Sequence, residues 1–429
     1  MKIGKLRISA VRNKSFEDKQ NAIANVGESI QSVVLQQIYE KCGVEEDSII
    51  KINQCDVKNY QGEDIILPLR LPLSKENVDE YLPLNSAIHP FFISLHLHDD
   101  IFENRPDLIE YFLKYQPIGC RDEISCEYFR SHGIESYIMG CYTLMFPQRE
   151  KTELQNKIVC VDTSSRLNEV IPSDIKGNII RKTHAIPYLE YPVSPQEDDR
   201  LEQIAAEYVD FYRNEAKLVI TSRLHAAAPC IAMGIPVILA SDNVDFRYAW
   251  IDRFLPIYQA SDYNYIQWNP DIVDISLVRK SLFEIFDGII NYKKMPVKSL
   301  QRLDEYYRSR NKTEYYKMFR QKLMDMYERY HDREFTYAIW GAGNHSLFVY
   351  ELMKEIYPKA KLLVVIDKYK TGSKFGVPII RSDELAKYNV EHVCISTKPG
   401  TPEAVEECGR IWGNESEFHY TIVTSQQES

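Results

Sequence analysis

Residues 217–240, KLVITSRLHAAAPCIAMGIPVILA, decide the fold of this chain. The run KLVIT predicts a buried strand, the small apolar run AAAPCIAMG predicts a buried helix, and IPVILA predicts a second strand. A strand, a helix and a strand in this order predict a parallel pair joined by a crossover helix. Arg223 and His225 stand at the helix entrance, where apolar side chains would pack better. The pattern therefore raises the question of what these two polar residues bind.

The same alternation of strands and helices runs through most of the 429 residues and predicts an α/β fold with open, mostly parallel sheets. Residues 29–43 predict an amphipathic helix, and residues 90–97 predict a strand. The alternation restarts near residue 157 and again at 334. We predict a first lobe over 1–155, a second lobe over 156–271, a charged helical connector over 272–333 and a smaller α/β domain over 334–429.

Composition narrows the class of protein. The net charge of −10 excludes a global basic field for nucleic acid, although a local basic pocket remains open. The start lacks an apolar leader, and no run approaches the roughly 18 apolar residues of a membrane span. We expect a cytoplasmic protein. The nine cysteines form no C-x-x-C pair and are expected to be reduced packing thiols.

The helix entrance of residues 217–240 has the chemistry of an anion site. Thr221 or Ser222 is expected to cap the helix, and its free N–H groups would face the carboxyl edge of the sheet. Unpaired N–H groups there favour an anion, and Arg223 adds a planar fork suited to phosphate or carboxylate. His225 can act as a general acid near neutral pH. The other interpretation is a surface cation and a satisfied core histidine.

Two further turns precede predicted helices. In QPIGCRDEISCEYF, residues 116–129, Asp122 can cap a helix and place Arg121 at another sheet edge. In NVGES, residues 25–29, Gly27 permits close backbone approach, and Glu28 can cap the helix or accept hydrogen bonds from sugar hydroxyls. A capping device with a surface arginine explains the first turn equally well.

A histidine pair and one more arginine complete the candidates. His96 and His98 would face the same side of a strand, a spacing that could ligate a metal. No third ligand is obvious, so we predict no metal and favour one histidine lining a cleft. Arg247 is another candidate cleft cation, with a surface role as the alternative.

Three segments together resemble a known family. VITSRLHAAAPCIAMGIPVI, PIGCRDEIS and NVGESIQS resemble the polysaccharide pyruvyl transferases, in the expected order, over about residues 20–260. The family often has Asp where Glu28 stands. The resemblance implies two Rossmann-like lobes in a GT-B-like arrangement. It also implies a transferase that moves the enolpyruvyl group of phosphoenolpyruvate onto two sugar hydroxyls, forming a cyclic ketal.

The resemblance implies that Arg223 binds the donor and that His225 is catalytic or donor-binding. We hypothesise that His225 is the general acid, with Ser222, Arg223 and Arg121 binding the donor. The expected acceptor or cleft residues are Asn25, Gly27, Glu28, His96 and Arg247.

Phosphoenolpyruvate is the expected co-substrate, and no further cofactor is required. The acceptor would be a lipid-linked or nucleotide-linked sugar for a capsule or exopolysaccharide. A lipid-linked acceptor would bring transient contact with the inner face of the membrane. Assembly of the chain into a homo-oligomer is left open.

The predicted C-terminal domain lies outside the resemblance. Its GAGNHS turn, residues 341–346, has Ser346 where a dinucleotide fingerprint requires Gly or Ala, and Asp367 follows Gly343 at about the fingerprint spacing. A nucleotide site at Gly341, Gly343 and Asp367 is one interpretation. A Rossmann-like scaffold without a ligand, or an interaction domain, is the other.

Other functions fit parts of the sequence. A GT-B-type glycosyltransferase would use Arg223 for the diphosphate of a nucleotide sugar. A noncatalytic sugar-phosphate-binding protein would use the C-terminal domain to recruit partners. An NAD-dependent oxidoreductase would use residues 337–367.

Overall fold

The computed structural model describes residues 1–8, 23–190, 193–310, 314–343, 345–397 and 399–423. The fold is mixed α/β, as predicted, and its three main sheets are parallel except for one edge hairpin. The limits of the four predicted domains stay predictions, as does the GT-B-like arrangement.

The first part of the chain contains a parallel four-stranded sheet and two smaller strand pairs. Its elements are β1 (Lys2–Arg7), β2 (Ile23–Asn25), α1 (Val26–Lys41), β3 (Ile49–Asn53), β4 (Ile65–Leu69), β5 (Pro72–Leu73), α2 (Val78–Tyr81), β6 (Ile88–Phe92), β7 (His96–Leu97), α3 (Pro106–Lys114), β8 (Ile118–Cys120), α4 (Glu123–Ser131) and β9 (Ser136–Ile138). The sheet order is β3-β1-β4-β6, while β5 pairs with β7 and β8 pairs with β9.

The second part forms a parallel five-stranded sheet of order β11-β10-β13-β14-β15. Its elements are β10 (Lys157–Val161), α5 (Ser165–Val170), α6 (Ser173–Lys176), β11 (Ile179–Lys182), β12 (Ala185–Pro187), α7 (Pro195–Glu215), β13 (Ala216–Thr221), α8 (Leu224–Met233), β14 (Val237–Ala240) and β15 (Ile257–Tyr258). The strand–helix–strand unit predicted from residues 217–240 is therefore β13, α8 and β14.

Helices separate this sheet from the third one. They are α9 (Ser276–Tyr292), α10 (Val297–Ser309), α11 (Glu314–Met324) and α12 (Tyr327–Tyr330). The third sheet has the order β18-β19-β17-β16-β20-β21. Its elements are β16 (Phe335–Trp340), α13 (His345–Ile356), β17 (Ala360–Ile366), β18 (Gly372–Lys374), β19 (Val377–Ile380), β20 (His392–Ile395), α14 (Thr401–Trp412) and β21 (Tyr420–Ile422).

Helix α1 forms for the reasons that the sequence suggests. Ile30, Val34 and Ile38 recur at helical spacing and are buried. The Asn25 side chain caps the helix by accepting a hydrogen bond from the N–H of Gly27. The capping role considered for Glu28 is thus wrong, and its carboxylate is available elsewhere.

Two local predictions were wrong. The strand predicted over residues 90–97 breaks between β6 and β7, where Ser94 adopts a positive φ of 47°. Helix α8 is not capped by the side chain of Thr221 or Ser222, because its N-cap is Arg223, which makes no side-chain cap. Its end follows the sequence, since Gly234 takes a left-handed conformation there.

Strand pairing, a backbone hydrogen bond and ion pairs hold the first two parts of the chain together. Strand β2 pairs antiparallel with β12, and the N–H of Val26 donates to the carbonyl of His184 at 2.9 Å. Buried Lys5 and Arg7 form ion pairs with Glu202 and Asp199 on α7. The first turn of α1 is therefore fixed against the second part.

Two negative findings concern the described part of the chain. None of its helices has the length and apolar character needed to cross a bilayer. All nine cysteines fall within it, and none forms a disulfide.

Candidate active site

The second sheet places the sequence motif at a ligand-binding edge. From the adjacent strands β10 and β13 the chain proceeds toward opposite ends of the sheet. Asp162 follows β10, and Arg223 follows β13, so both lie at the carboxyl edge of this switch point. Open α/β sheets bind their ligands in this crevice. The location predicted from residues 217–240 thus has a structural basis.

Arg223 forms the outer wall of this crevice. Its Nε donates to Asp162 Oδ2 at 2.7 Å, and 38% of its side chain is exposed. Ser222 contributes a hydroxyl that already donates to the carbonyl of Asp162 at 2.7 Å. The hydroxyl of Thr221 accepts a hydrogen bond from the N–H of Arg223. The remaining nitrogens of Arg223 are the groups here that could meet an anion.

His225 faces inward from the first turn of α8. It is only 6% exposed, and its Nδ1 lies 3.3 Å from Glu28 Oε1 on α1. A Cβ on Gly27 would stand 3.1 Å from the Cβ of His225 and 2.9 Å from Nδ1 of His184. Gly27 is therefore the residue that lets α1 approach α8 closely enough for Glu28 to reach the imidazole.

Two arginines from the first part of the chain act electrostatically on the same carboxylate. Arg70 directly follows β4, and its Nη1 lies 3.3 Å from Glu28 Oε2. Arg121 directly follows β8 and is 3% exposed. Its buried Nε and Nη2 have no hydrogen-bond partner among the described residues. A buried guanidinium with free donors is costly unless a ligand accepts from it.

The pKa values follow from this crowding of charge. Burial alone would raise the pKa of Glu28, but His225 and Arg70 outweigh it and hold that pKa well below its usual range. Burial alone would lower the pKa of His225, but Glu28 and Cys141 outweigh it and raise that pKa. Both shifts favour the charged forms, a carboxylate beside an imidazolium.

Burial and nearby charges also shift the pKa values of Arg121, Cys141 and His98. Burial and the charge of Arg70 lower the pKa of Arg121 to about 10. Burial would raise the pKa of the Cys141 thiol, but its interaction with His225 and the charge of Arg121 bring it down to about 7. Burial and the adjacent His96 lower the pKa of His98 to about 2, so His98 is neutral. The pocket has an excess of positive charge.

The predicted histidine pair lies at the side of this pocket. His96 Nδ1 is 2.5 Å from Asp122 Oδ2, and its ring centroid is 4.7 Å from that of His98. Asp122 caps α4 as predicted, accepting from the N–H of Ser125. Within the described ranges, no group of three or more His, Cys, Asp or Glu side chains could hold a metal ion.

The structure does not bring every predicted residue together. Glu28 lies against His225, and the charge of Arg121 acts on Glu28. Arg223 instead pairs with Asp162 at the wall, and Asn25 serves as a helix cap. Arg247 is half exposed and forms a two-pronged pair with Asp245.

Sequence reasoning missed Arg70, Asp162 and Cys141. For the first two a signal was available, because Arg70 directly follows the apolar run IILPL and Asp162 directly follows the apolar run IVCV.

The GAGNHS turn of the C-terminal sheet is tightly packed on one side. A Cβ on Gly341 would stand 2.8 Å from the Cβ of Thr397, whereas Gly343 faces open space. Asp367 accepts hydrogen bonds from the backbone of Ala342 and Lys370. Its carboxylate thus holds the loop, and the nucleotide site stays a prediction.

The stretch of chain that carries Arg121, Arg223 and His225 matches a family model. Residues 96–243 match the family model of the polysaccharide pyruvyl transferases. The matched stretch makes up about a third of the chain. It contains Arg121, Arg223 and His225 and supports a role in pyruvyl transfer. It starts later than the resemblance seen in the sequence, so Glu28 lies outside the matched residues.

Other comparisons add little. No match was found among curated proteins. Four solved chains match, among them the "functional uncharacterized protein KP1_0663 from Klebsiella pneumoniae subsp. pneumoniae NTUH-K2044" at 15% identity and a TM-score of 0.31. The match covers 62% of this chain and 89% of that one. An FpvC mutant from Pseudomonas aeruginosa has 13% identity and a TM-score of 0.18, covering 63% and 92%. At these TM-scores the likenesses carry no functional inference.

Proposed function

We propose that the protein transfers the enolpyruvyl group of phosphoenolpyruvate onto two hydroxyls of a sugar in a cell-surface polysaccharide precursor, forming a pyruvate ketal. The observation that carries the proposal is the buried guanidinium of Arg121, which has free donors beside Arg70 and the charged His225. A small ligand with several negative charges would satisfy these donors. Phosphoenolpyruvate has a carboxylate and a phosphate on a three-carbon unit.

The donor has two anionic ends, and the site offers two cationic positions. Arg121 and Arg70 would take one end inside the pocket. Arg223, with the free N–H groups at the start of α8, would take the other at the crevice wall. Ser222 contributes less through its hydroxyl, which is already engaged with Asp162. Phosphate leaving from the more exposed Arg223 would reach solvent directly.

His225 supplies the proton that starts the reaction. Its Nδ1 faces Glu28, and its buried Nε2 has no hydrogen-bond partner among the described residues. Nε2 would protonate the methylene carbon, which becomes the methyl group, and leave positive charge on the adjacent carbon. A sugar hydroxyl attacks that carbon and loses its proton to the neutral imidazole. Phosphate then departs with the electron pair of the carbon–oxygen bond, and the second hydroxyl closes the ring and gives its proton to that phosphate.

The carboxylate of Glu28 stabilises the imidazolium of His225, so His225 holds its proton until it transfers the proton to the methylene carbon. General acid catalysis of this kind contributes about a hundred- to ten-thousand-fold in rate. His225→Gln should lower kcat by that factor and leave the Kd for phosphoenolpyruvate within about threefold. His331→Gln is the control, because that ring lies on the surface against Tyr327.

The decisive test is incubation with phosphoenolpyruvate and a panel of lipid-linked and nucleotide-linked sugars, with products read by mass and donor binding by calorimetry. A ketal product and phosphate release are expected. Binding of nucleotide sugars without binding of phosphoenolpyruvate would overturn the proposal in favour of a glycosyltransferase.

A further inference from the structure

Outside this site, a buried charge cluster joins the C-terminal sheet to the first one. The hairpin of β18 and β19 inserts its tip, residues 374–376, against the turn that follows β7. Lys374 is 2% exposed, Asp99 4% and Asp100 2%. Charged side chains are almost never buried to this degree unless they are paired.

Each residue of the hairpin tip has a polar contact with that turn. The Lys374 ammonium binds the Asp99 carboxylate and lies 3.6 Å from Asp100 Oδ1. The N–H of Phe375 donates to Asp100 Oδ2 at 2.7 Å, and the N–H of Gly376 donates to Glu103 Oε1 at 3.0 Å. Three successive residues of the hairpin thus contact three carboxylates in or just after the turn that follows β7.

The tip is shaped for this role. Phe375 and Gly376 both have positive φ, 56° and 78°, as a two-residue type I′ hairpin turn requires. A bulky residue rarely adopts this conformation. The Phe375 ring stacks on Tyr350 of α13 at 4.3 Å and an interplanar angle of 6°, which holds it there.

The turn that receives the tip leads directly into the candidate site. Asp99 follows His98, and the N–H of His98 donates to the carbonyl of Leu73 at 2.7 Å. His96 and His98 are in ring contact beside the arginines of the pocket. Movement of the Asp99–Asp100 turn would therefore displace both imidazoles.

We propose that Lys374 is a positioning residue for the pyruvyl transfer site, acting through the Asp99–Asp100 turn to hold His96 and His98 in place. This inference rests on the proposed function in one respect, namely that the pocket beside His96 and His98 is where pyruvyl transfer takes place. It gives the C-terminal domain, which lies beyond the family match, a defined role in completing the pocket wall.

The charge balance explains why Lys374 matters. Without it, two adjacent carboxylates would be buried with only Lys75, which lies 3.2 Å from Asp100 Oδ1 and is about one-third exposed. Like charges this close repel, and an unpaired buried carboxylate is strongly unfavourable. The turn would relieve both effects by moving toward water and taking His98 with it.

The test is NMR of the full chain labelled at its histidine rings, with His96 and His98 assigned from His96→Gln and His98→Gln. In the wild type, His98 should stay neutral across the neutral range, because it is buried and faces His96, Arg70, Arg121 and Arg247. In Lys374→Met we expect both resonances to shift and His98 to titrate closer to an exposed histidine. Unchanged resonances and titration would overturn the proposal.

Matched variants separate positioning from general damage. Lys370→Met removes the exposed pair with Glu76 from the same loop and should leave both resonances unchanged. The double variant Lys374→Met/Asp99→Asn removes one charge of each sign and should restore the wild-type resonances. If Lys374→Met fails to fold, Tyr350→Ala decides, because it loosens the hairpin tip without leaving a charge unpaired. Wild-type histidine resonances in Tyr350→Ala would then overturn the proposal.

Turnover gives an independent readout. If phosphoenolpyruvate is the donor, Lys374→Met should lower kcat at least tenfold, and the double variant should recover most of it. A wild-type protein without pyruvyl transfer would refute the proposed function. The histidine spectra would still decide the positioning role.

Discussion

Replacement of Arg121 by methionine should make the ligand-free protein more stable, although most substitutions of buried residues do the opposite. Burial and Arg70 lower the pKa of Arg121 from its ordinary 12.5 to about 10. That difference corresponds to about 3 kcal/mol disfavouring the charged form in the folded state. Because Arg121 also attracts Glu28, the methionine variant regains only part of this unfavourable free energy. We expect the free energy of unfolding to rise by about 1–3 kcal/mol.

Urea unfolding of the wild type and of Arg121→Met would measure this change. The matched control is Arg253→Met, because Arg253 is equally buried but pairs with Glu123 at 3.0 Å and lies 3.4 Å from Asp252. Removing that partner should cost about 3–5 kcal/mol. If Arg121→Met lost stability as Arg253→Met does, Arg121 would be a structural residue and the reasoning would be refuted.

The same pair of proteins tests what the free donors of Arg121 are for. Phosphoenolpyruvate at a hundred times its Kd should stabilise the wild type by about 2.7 kcal/mol. Two hydrogen bonds from a charged donor contribute about 1.5–3 kcal/mol each. The variant should therefore show no stabilisation at that concentration. An equal response in both proteins would remove Arg121 from donor binding.

Four further substitutions, one of them a control, test the site and its surroundings. Glu28→Gln should lower the pKa of His225, so the branch of the kcat/KM profile on which the acid is lost as pH rises should move to lower pH, which a pH–rate profile would show. Gly27→Ala should cost about 1–3 kcal/mol of stability, because its Cβ would crowd His225. Gly409→Ala, in open space on a helix, should gain about 0.5–1 kcal/mol by urea unfolding. Burial and a neighbouring carboxylate raise the pKa of Asp100 from 3.8 to about 7, so stability should fall as pH rises through that interval. Asp100→Asn should remove this fall in thermal unfolding at about pH 5 and pH 8.

The α/β class could be predicted because hydrophobic periodicity is local. Residues 29–43 carry the spacing of a helix, and β13, α8 and β14 appear where the apolar runs place them. The break at Ser94 could not be predicted, since its cause is a tertiary contact. The hydroxyl of Ser94 donates to the carbonyl of Gly140 at 2.6 Å, 46 residues along the chain.

The sequence could predict individual residues of the site but not how they come together. Arg121, Glu28 and His225 each stand beside a recognisable turn, but nothing in the sequence states that α1 and α8 touch. The contact depends on the pairing of β2 with β12 and on the space left by Gly27. For the same reason, the sequence alone could not separate Arg223, at the wall, from His225, inside.

The pairing of Glu28 with His225 cannot form during translation until the ribosome has synthesised both residues. Glu28 is synthesised roughly two hundred residues before His225, an interval of about 10–40 s at about 5–20 residues per second. For the last roughly one hundred residues of this interval, about 5–20 s, the nascent chain carries Glu28, Arg70 and Arg121 without the helix that encloses them. The speed of translation between these points therefore determines how long a half-built pocket is accessible to chaperones and proteases.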